Sequence, residues 1–306
     1  MKLTRLAVAG LGLLAAFAPG CVLDAPYDKF AIVYGISDYE GGLNDLKYAA
    51  ADAADMEAML AGQGYAVWRK TDDLATLANL QADVAAVAFS AKENDLFLFF
   101  FSGHGGQKGS GQEGAGGDSQ NEWIYLYNSL SDSTQTLNDD QLLSALAPIP
   151  CKRKVLILDS CDSGGFIGNG LEADGTPPSL LEGGQSLPAT LGEAIALYAN
   201  FDAGSADIPP WKALVISASG EREYCYESPE DLEDPPYFHG VFTYFLLEAE
   251  RGGDRNRDGY VTVTEAYDYV RAKIYTEWNL RNGFAADAFS PHVSGGPVDY
   301  VLLKAR

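Results

Sequence analysis

Two short strings carry the chemistry of this chain: FSGHGG at 101–106 and LDSCDSGG at 158–165. Each follows a run of apolar, strand-forming residues. The first offers an imidazole, His104, and the second a thiol, Cys161, 57 residues further on. That spacing suits two neighbouring parallel strands whose C-terminal ends meet at one sheet edge, where open α/β sheets keep their chemistry. A thiol beside an imidazole is a cysteine nucleophile with its base. The backbone N–H groups of Gly105 and Cys161 stand where they can receive a developing oxyanion. The small residues after His104 and Cys161 let a substrate backbone come close. Taken singly, Cys161 could be a small buried hydrophobe and His104 an ordinary turn residue. Both strings in this order, each at a strand end, favour the chemical reading.

The elements that must position these residues alternate. FAIVYGI (30–36), DLFLFFFSG (95–103), VLILDS (155–160) and ALVISAS (213–219) read as continuous apolar strands of a doubly covered parallel sheet. A shorter strand is expected at 65–69. WIYLY (123–127) reads as a hairpin strand and VDYVLL (298–303) as a last edge strand. Between them, Leu46, Ala49, Ala53, Met56 and Leu60 mark the inner face of a helix that Asn44 would cap and Gly62 and Gly64 would end. Leu77, Leu80, Val84 and Val87 mark a second helix. Asn138 with Gln141 forms a capping box for a third. GVFTYFLLEAE (240–250) and the stretch from Thr264 to Trp278 are amphipathic helices. This order predicts an α/β fold. Residues 162–210 break the rhythm and read as a long inter-strand loop.

Composition narrows the classes further. The chain has 306 residues, 47% of them apolar, enough for one large α/β domain. Its net charge of −22 argues against nucleic-acid binding, which needs positive charge against phosphate. Lys2 and Arg5 precede a short apolar run at 6–18, the pattern of a signal peptide over residues 1–20. Gly20-Cys21 after it resembles a bacterial lipobox, with Cys21 the lipidated residue. An exported envelope lipoprotein is therefore expected, its only membrane contact the lipid anchor. Plain secretion and an uncleaved anchor are the alternatives. Cys151 and Cys225 fall at opposite ends of neighbouring strands, too far apart for a disulfide.

DRNRDGYVTVTE (254–265) fits the EF-hand calcium-loop pattern in every slot. Asp254, Asn256 and Asp258 would supply side-chain oxygens, Tyr260 its carbonyl and Glu265 a bidentate carboxylate. Amphipathic helices flank it, so residues 241–280 read as helix, loop, helix. The expected role of calcium is to staple two helices. The chemistry itself calls for no cofactor.

FSGHGG with LDSCDSG resembles the caspase/metacaspase-type cysteine peptidases, and bacterial metacaspase-like members more than animal caspases. The resemblance spans residues 28–303. It implies a three-layer α/β/α caspase-like fold, with about six mostly parallel strands and helices on both faces. It implies a cysteine endopeptidase acting on proteins or peptides, with His104 as general base and acid and Cys161 as nucleophile. It also implies a pocket for a basic P1 side chain lined by Asp45 and Asp159, since two carboxylates hold Arg or Lys by charge-assisted hydrogen bonds. Asp45 read alone is an ordinary helix-start acid. Asp162 departs from the residues the family carries after the nucleophile. The Asp139-Asp140 pair resembles part of a second calcium site of metacaspases, but Asn128 and Gly168 stand where further acids are expected. His239 reads as structural or capping, and His292 has no assigned role. Residues 162–210 hold no Lys or Arg, so a basic P1 preference implies a single-chain active form. Two alternatives stand beside this: a same-clan peptidase with another P1 preference, and a calcium-binding interaction module with a vestigial dyad.

Overall fold

The computed structural model describes residues 27–41, 45–107, 122–129, 131–160, 213–219, 225–227, 238–285, 288–294 and 299–306. Cys21, Asn44, Cys161 and the 162–210 stretch lie outside the described residues. In chain order the elements are β1 (Lys29–Gly35), α1 (Ala49–Gly62), β2 (Tyr65–Thr71), α2 (Leu77–Ser90), β3 (Leu96–Ser102), β4 (Gly105–Gln107), β5 (Glu122–Tyr125), β6 (Thr136–Asn138), α3 (Asp139–Leu146), β7 (Arg153–Asp159), β8 (Leu214–Ser217), α4 (Val241–Gly252), β9 (Tyr260–Thr262), α5 (Val263–Lys273), β10 (His292–Ser294) and β11 (Val301–Lys304). A π-helical turn, Ile274–Asn279, extends α5.

The main sheet has six strands in the order β10-β8-β7-β3-β1-β2. Five run parallel, and β10 closes one edge antiparallel to β8. Every residue of the central strand β3 is buried. Alternate residues serve opposite faces, as the strand period of two requires. Leu96, Leu98 and Phe100 face a core shared with α1, α4 and α5. Phe97, Phe99 and Phe101 face a second core shared with α2 and α3. Three layers, α/β/α, result, as expected.

The structure redraws three local expectations. β11 does not join the main sheet but pairs antiparallel with β9, the strand leaving the 254–265 loop. The sheet edge belongs instead to β10, which contains His292. The helix expected from Asn44 begins at Ala49, behind an N-cap, Tyr48, that makes no side-chain capping bond. Its leading amides turn to a distant acid: Glu227 accepts hydrogen bonds from Lys47 N and Tyr48 N. A tertiary contact thus replaces the local cap. The box at α3 forms as read, with Asn138 and Gln141 bonding reciprocally.

β4, β5 and β6 form a small antiparallel sheet that grows directly from the end of β3. Sequence reading found only its middle strand.

Candidate active site

β3 and β7 run in register, with Ser102 opposite Asp159. Beyond the ladder, Gly103 N donates to the Asp159 carbonyl at 3.1 Å. The strand ends are therefore level. His104 is two residues beyond Ser102, and the position of Cys161 is two residues beyond Asp159.

His104 is half-buried and held by Tyr39. The His104 amide donates to the Tyr39 hydroxyl at 2.8 Å, and that hydroxyl donates to the Tyr125 carbonyl at 3.0 Å. The two rings lie 4.7 Å apart. Burial pushes the Tyr39 phenol well above its ordinary pKa, so the hydroxyl stays protonated and can donate. Gly103 is required here: a Cβ would stand 2.7 Å from the Tyr39 hydroxyl and 2.8 Å from Phe101. Gly105 opens β4, opposite Ile124 of β5.

Asp159 and Asp45 do not meet. Asp45 is exposed and closes its own loop, accepting from Tyr39 N at 3.1 Å. The acid beside Asp159 is Asp52, from the first turn of α1. Both carboxylates are buried and both approach Gly240, the N-cap of α4. A Cβ on Gly240 would lie 2.6 Å from Asp159 Oδ2 and 3.0 Å from Asp52 Oδ2. Only a glycine fits between them.

Each carboxylate has its own donors. Asp159 Oδ2 accepts from Thr243 N at 3.2 Å and Thr243 Oγ1 at 2.6 Å. Asp52 Oδ2 accepts from Ser102 Oγ at 2.8 Å, and Asp52 Oδ1 from Gly240 N at 3.1 Å. The His239 ring completes the group, with Nδ1 2.9 Å from Asp52 Oδ1 and Nε2 3.2 Å from Asp55 Oδ2. Burial, and next the charge of Asp52, push the Asp159 carboxyl up to about 8. Burial also raises the Asp52 carboxyl against its hydrogen bonds. Burial alone would lower the His239 pKa, but the hydrogen bond to Asp52 and the nearby carboxylates outweigh it and raise it.

Asp52 was not singled out from sequence. The signal was an acid at helical spacing among Ala49, Ala53 and Met56, on the face that packs against the sheet. Ser102 is a hydrogen-bonding neighbour of the cluster. Ser160 is buried, its carbonyl accepting from Ser219 Oγ. Neither Cys151 nor Cys225 is in a disulfide. Burial raises the Cys151 thiol to about 11, which makes it unreactive.

The 254–265 loop has helix α4 before it, α5 after it and Gly259 at φ 89° in its turn. Its acids bond to the loop's own amides. Asp254 accepts from Asp258 N and Gly259 N, and Asp258 from Tyr260 N. Glu265 reaches Asn256 N and caps α5 with Thr262. Among the described residues no three His, Cys, Asp or Glu side chains form a group that could hold a metal ion. Asp139 and Asp140 sit in the first turn of α3. No helix among the described residues is long and apolar enough to cross a membrane.

The family model of the peptidase C14 caspase domain matches residues 28–287. The chain belongs to the caspase-domain peptidases. None of the curated proteins matches it. Solved structures share the caspase fold. The crystal structure of protein GSU0716 from Geobacter sulfurreducens has 22% sequence identity and a TM-score of 0.55, covering 91% of this chain and 97% of that one. Caspase-1 from Spodoptera frugiperda has 13% identity and a TM-score of 0.50, covering 96% of each chain. The caspase domain is a cysteine-peptidase family, and its substrates are proteins or peptides.

Proposed function

We propose that this caspase domain is an endopeptidase working through a Cys161–His104 dyad, with a preference for Arg or Lys at P1. The observation that carries it is the level ending of β3 and β7, fixed by the Gly103–Asp159 hydrogen bond. In sequence, His104 and Cys161 each follow by two residues the paired strand ends Ser102 and Asp159.

In this mechanism His104 takes the thiol proton and the Cys161 sulfur attacks the scissile carbonyl. The Gly105 and Cys161 amides receive the oxyanion. The leaving amine accepts the proton from His104, and an acyl-enzyme remains. Water, deprotonated by His104, then releases the product acid and restores the thiol.

The P1 preference rests on Asp159, two residues before the nucleophile in sequence, and Asp52, two buried carboxylates that meet beside Gly240. Asp45 is spent on its own loop. A P1-varied peptide library on the wild type, Cys161→Ala, Asp159→Asn, Asp52→Asn and Asp45→Asn tests the whole reading. Cleavage after Arg or Lys is expected in the wild type and none in Cys161→Ala. The basic preference should be lost in Asp159→Asn and Asp52→Asn and kept in Asp45→Asn. Turnover by Cys161→Ala would overturn the dyad.

Two further assignments belong to this reading. The 254–265 loop takes calcium by exchanging amide donors for the ion and drawing Asp254, Asn256, Asp258, the Tyr260 carbonyl and Glu265 around it. Its support is the donor order and the flanking helices. Residues 1–20 direct export and Cys21 receives the lipid, which metabolic labelling with an alkynyl fatty acid tests against Cys21→Ser.

A further inference from the structure

We propose that His239 is the resident cation of the Asp52–Asp159 pocket, and that a basic side chain enters the pocket by displacing it. This rests on the reading that the pocket takes the P1 side chain, and concerns how that pocket is controlled.

Geometry sets the argument. Both ring nitrogens of His239 face carboxylate oxygens, at 2.9 Å on Asp52 and 3.2 Å on Asp55. A neutral imidazole has one N–H and satisfies one such acceptor. Two acceptors call for the doubly protonated ring. Among the described residues no Lys or Arg pairs with Asp52 or Asp159, so His239 is the cation that balances them. Two buried carboxylates this close cannot both ionise without one. A guanidinium or ammonium ligand needs the same oxygens. The two cations compete for one seat.

The short segment that bears His239 is built to yield. His239 stands between Gly240, the α4 N-cap, and Phe238, a non-glycine residue at φ 57°. That left-handed conformation is disfavoured for a residue bearing a Cβ, a strain that movement of the segment relieves. Phe238 is half-exposed, its ring edge-on to Tyr48 at 6.3 Å. Nothing here resembles a locked core contact.

The titratable groups that face His239 come from four elements. Asp52 and Asp55 belong to α1, Asp159 to β7 and Tyr244 to α4. On the 225–227 segment the Cys225 thiol bonds Asp159, and Glu227 bridges to Gly240 through its backbone. Displacement frees His239 into water, where its pKa returns to about 6.5. Pairing with the incoming cation also ionises Asp159. Both changes release protons, so binding tightens as pH rises.

Calorimetry of agmatine binding to the Cys161→Ala protein, in two buffers of different ionisation enthalpy, tests this without turnover. Between one and two protons should be released per ligand near pH 7, with Kd falling at least about tenfold per pH unit between pH 6 and 7. His239→Gln, which keeps the shape and loses the charge, should bind more tightly at pH 6 and depend less on pH. His239→Lys, a cation that does not neutralise here, should bind at least about tenfold more weakly throughout. Binding without proton release, weaker binding by His239→Gln, or unimpaired binding by His239→Lys would overturn the proposal. Agmatine binding by none of the variants, together with an unchanged P1 profile in Asp159→Asn, would instead overturn the pocket reading beneath it.

Discussion

The amide of Gly103 donates to the carbonyl of Asp159, and this one bond sets the ends of β3 and β7 level. Ser102 stands opposite Asp159 in the same register. Each of these paired residues also sends its side chain to the buried acid cluster: Ser102 to Asp52, and Asp159 to Thr243. The backbone of the two strand ends is therefore locked level, and their side chains join the buried Asp52–Asp159 cluster, the pair to which the proposed P1 preference is assigned. A shift of either strand would disturb both.

Tyr39 is the brace of this arrangement, and Tyr39→Phe isolates its hydroxyl. The change leaves the His104 amide and the Tyr125 carbonyl without their shared partner, in a place where Tyr39 is 2% exposed. A buried group left unpaired costs about 1–3 kcal/mol. The turn bearing His104 should loosen. We expect a fall in kcat of about tenfold with KM little changed, since the loss touches orientation of the base rather than substrate binding. Steady-state kinetics with an Arg-P1 peptide checks it. A changed KM at constant kcat would place Tyr39 elsewhere in the mechanism.

Asp159 makes stability depend on pH in a defined direction. Its folded pKa of about 8 lies above the ordinary carboxylate value of about 3.9. The folded chain thus holds a proton that the unfolded chain gives up, and stability falls as pH climbs from about 4 to about 8. His239 acts the same way. Its raised pKa gives stability that is present below about 6.5 and lost as pH rises through the folded value. The two groups face each other and titrate as a unit. Thermal melts of the wild type should move down between pH 6 and 9. Asp159→Asn keeps an acceptor for Thr243 and removes the charge. It should melt higher at pH 8 by at least about 1 kcal/mol, which is about 2–4 °C for a domain of this size. Equal melting curves across that range would contradict the pairing of Asp159 with Asp52.

The central strands were legible because β1, β3, β7 and β8 are unbroken apolar runs, and only a sheet covered on both faces buries such runs completely. The place of His104 in the chain, just past the end of β3, was legible for a related reason: that strand end is followed by glycines that no core would need. The acid pocket was only half legible. Asp159 sits on a strand beside a motif, whereas Asp52 lies in an alanine-rich helix and finds its partners 50 and 188 residues away, at Ser102 and Gly240. His239 reads locally as a residue before a helix. Its contacts with Asp52 and Asp55 form only when α1 and α4 pack together, which no local pattern encodes. β11 was misplaced because an apolar alternating strand fits any open edge, and the edge it fills belongs to β9.

Glu265 separates two functions that share one side chain. It caps α5 through a box with Thr262, and it is the closing ligand of the proposed calcium loop. Glu265→Gln preserves the box, because Gln serves equally well at that position. It removes the bidentate carboxylate. In chelator the variant should therefore melt with the wild type. Added calcium should raise the melting temperature of the wild type and not that of the variant. Glu265→Ala should lose about 1 kcal/mol even in chelator, the value of a helix cap. Calcium stabilising Glu265→Gln as much as the wild type would remove the ion from this loop.

The covalent state of the active chain follows from charge and sequence together. Between Lys154 and Lys212 there is no basic residue, and this interval contains Cys161 and the whole of 162–210. A peptidase whose pocket is lined by Asp52 and Asp159 gains its charge-assisted hydrogen bonds only from Arg or Lys. It has no bond to cut there in another copy of itself. Purified wild type incubated at high concentration should stay uncut across that interval while it hydrolyses an Arg-P1 peptide, as intact-mass spectrometry with and without a cysteine alkylator would show. Fragments with new ends between 162 and 210, appearing in the wild type and absent from Cys161→Ala, would mean that the pocket accepts a neutral or acidic side chain. The two-carboxylate account of specificity would then fall.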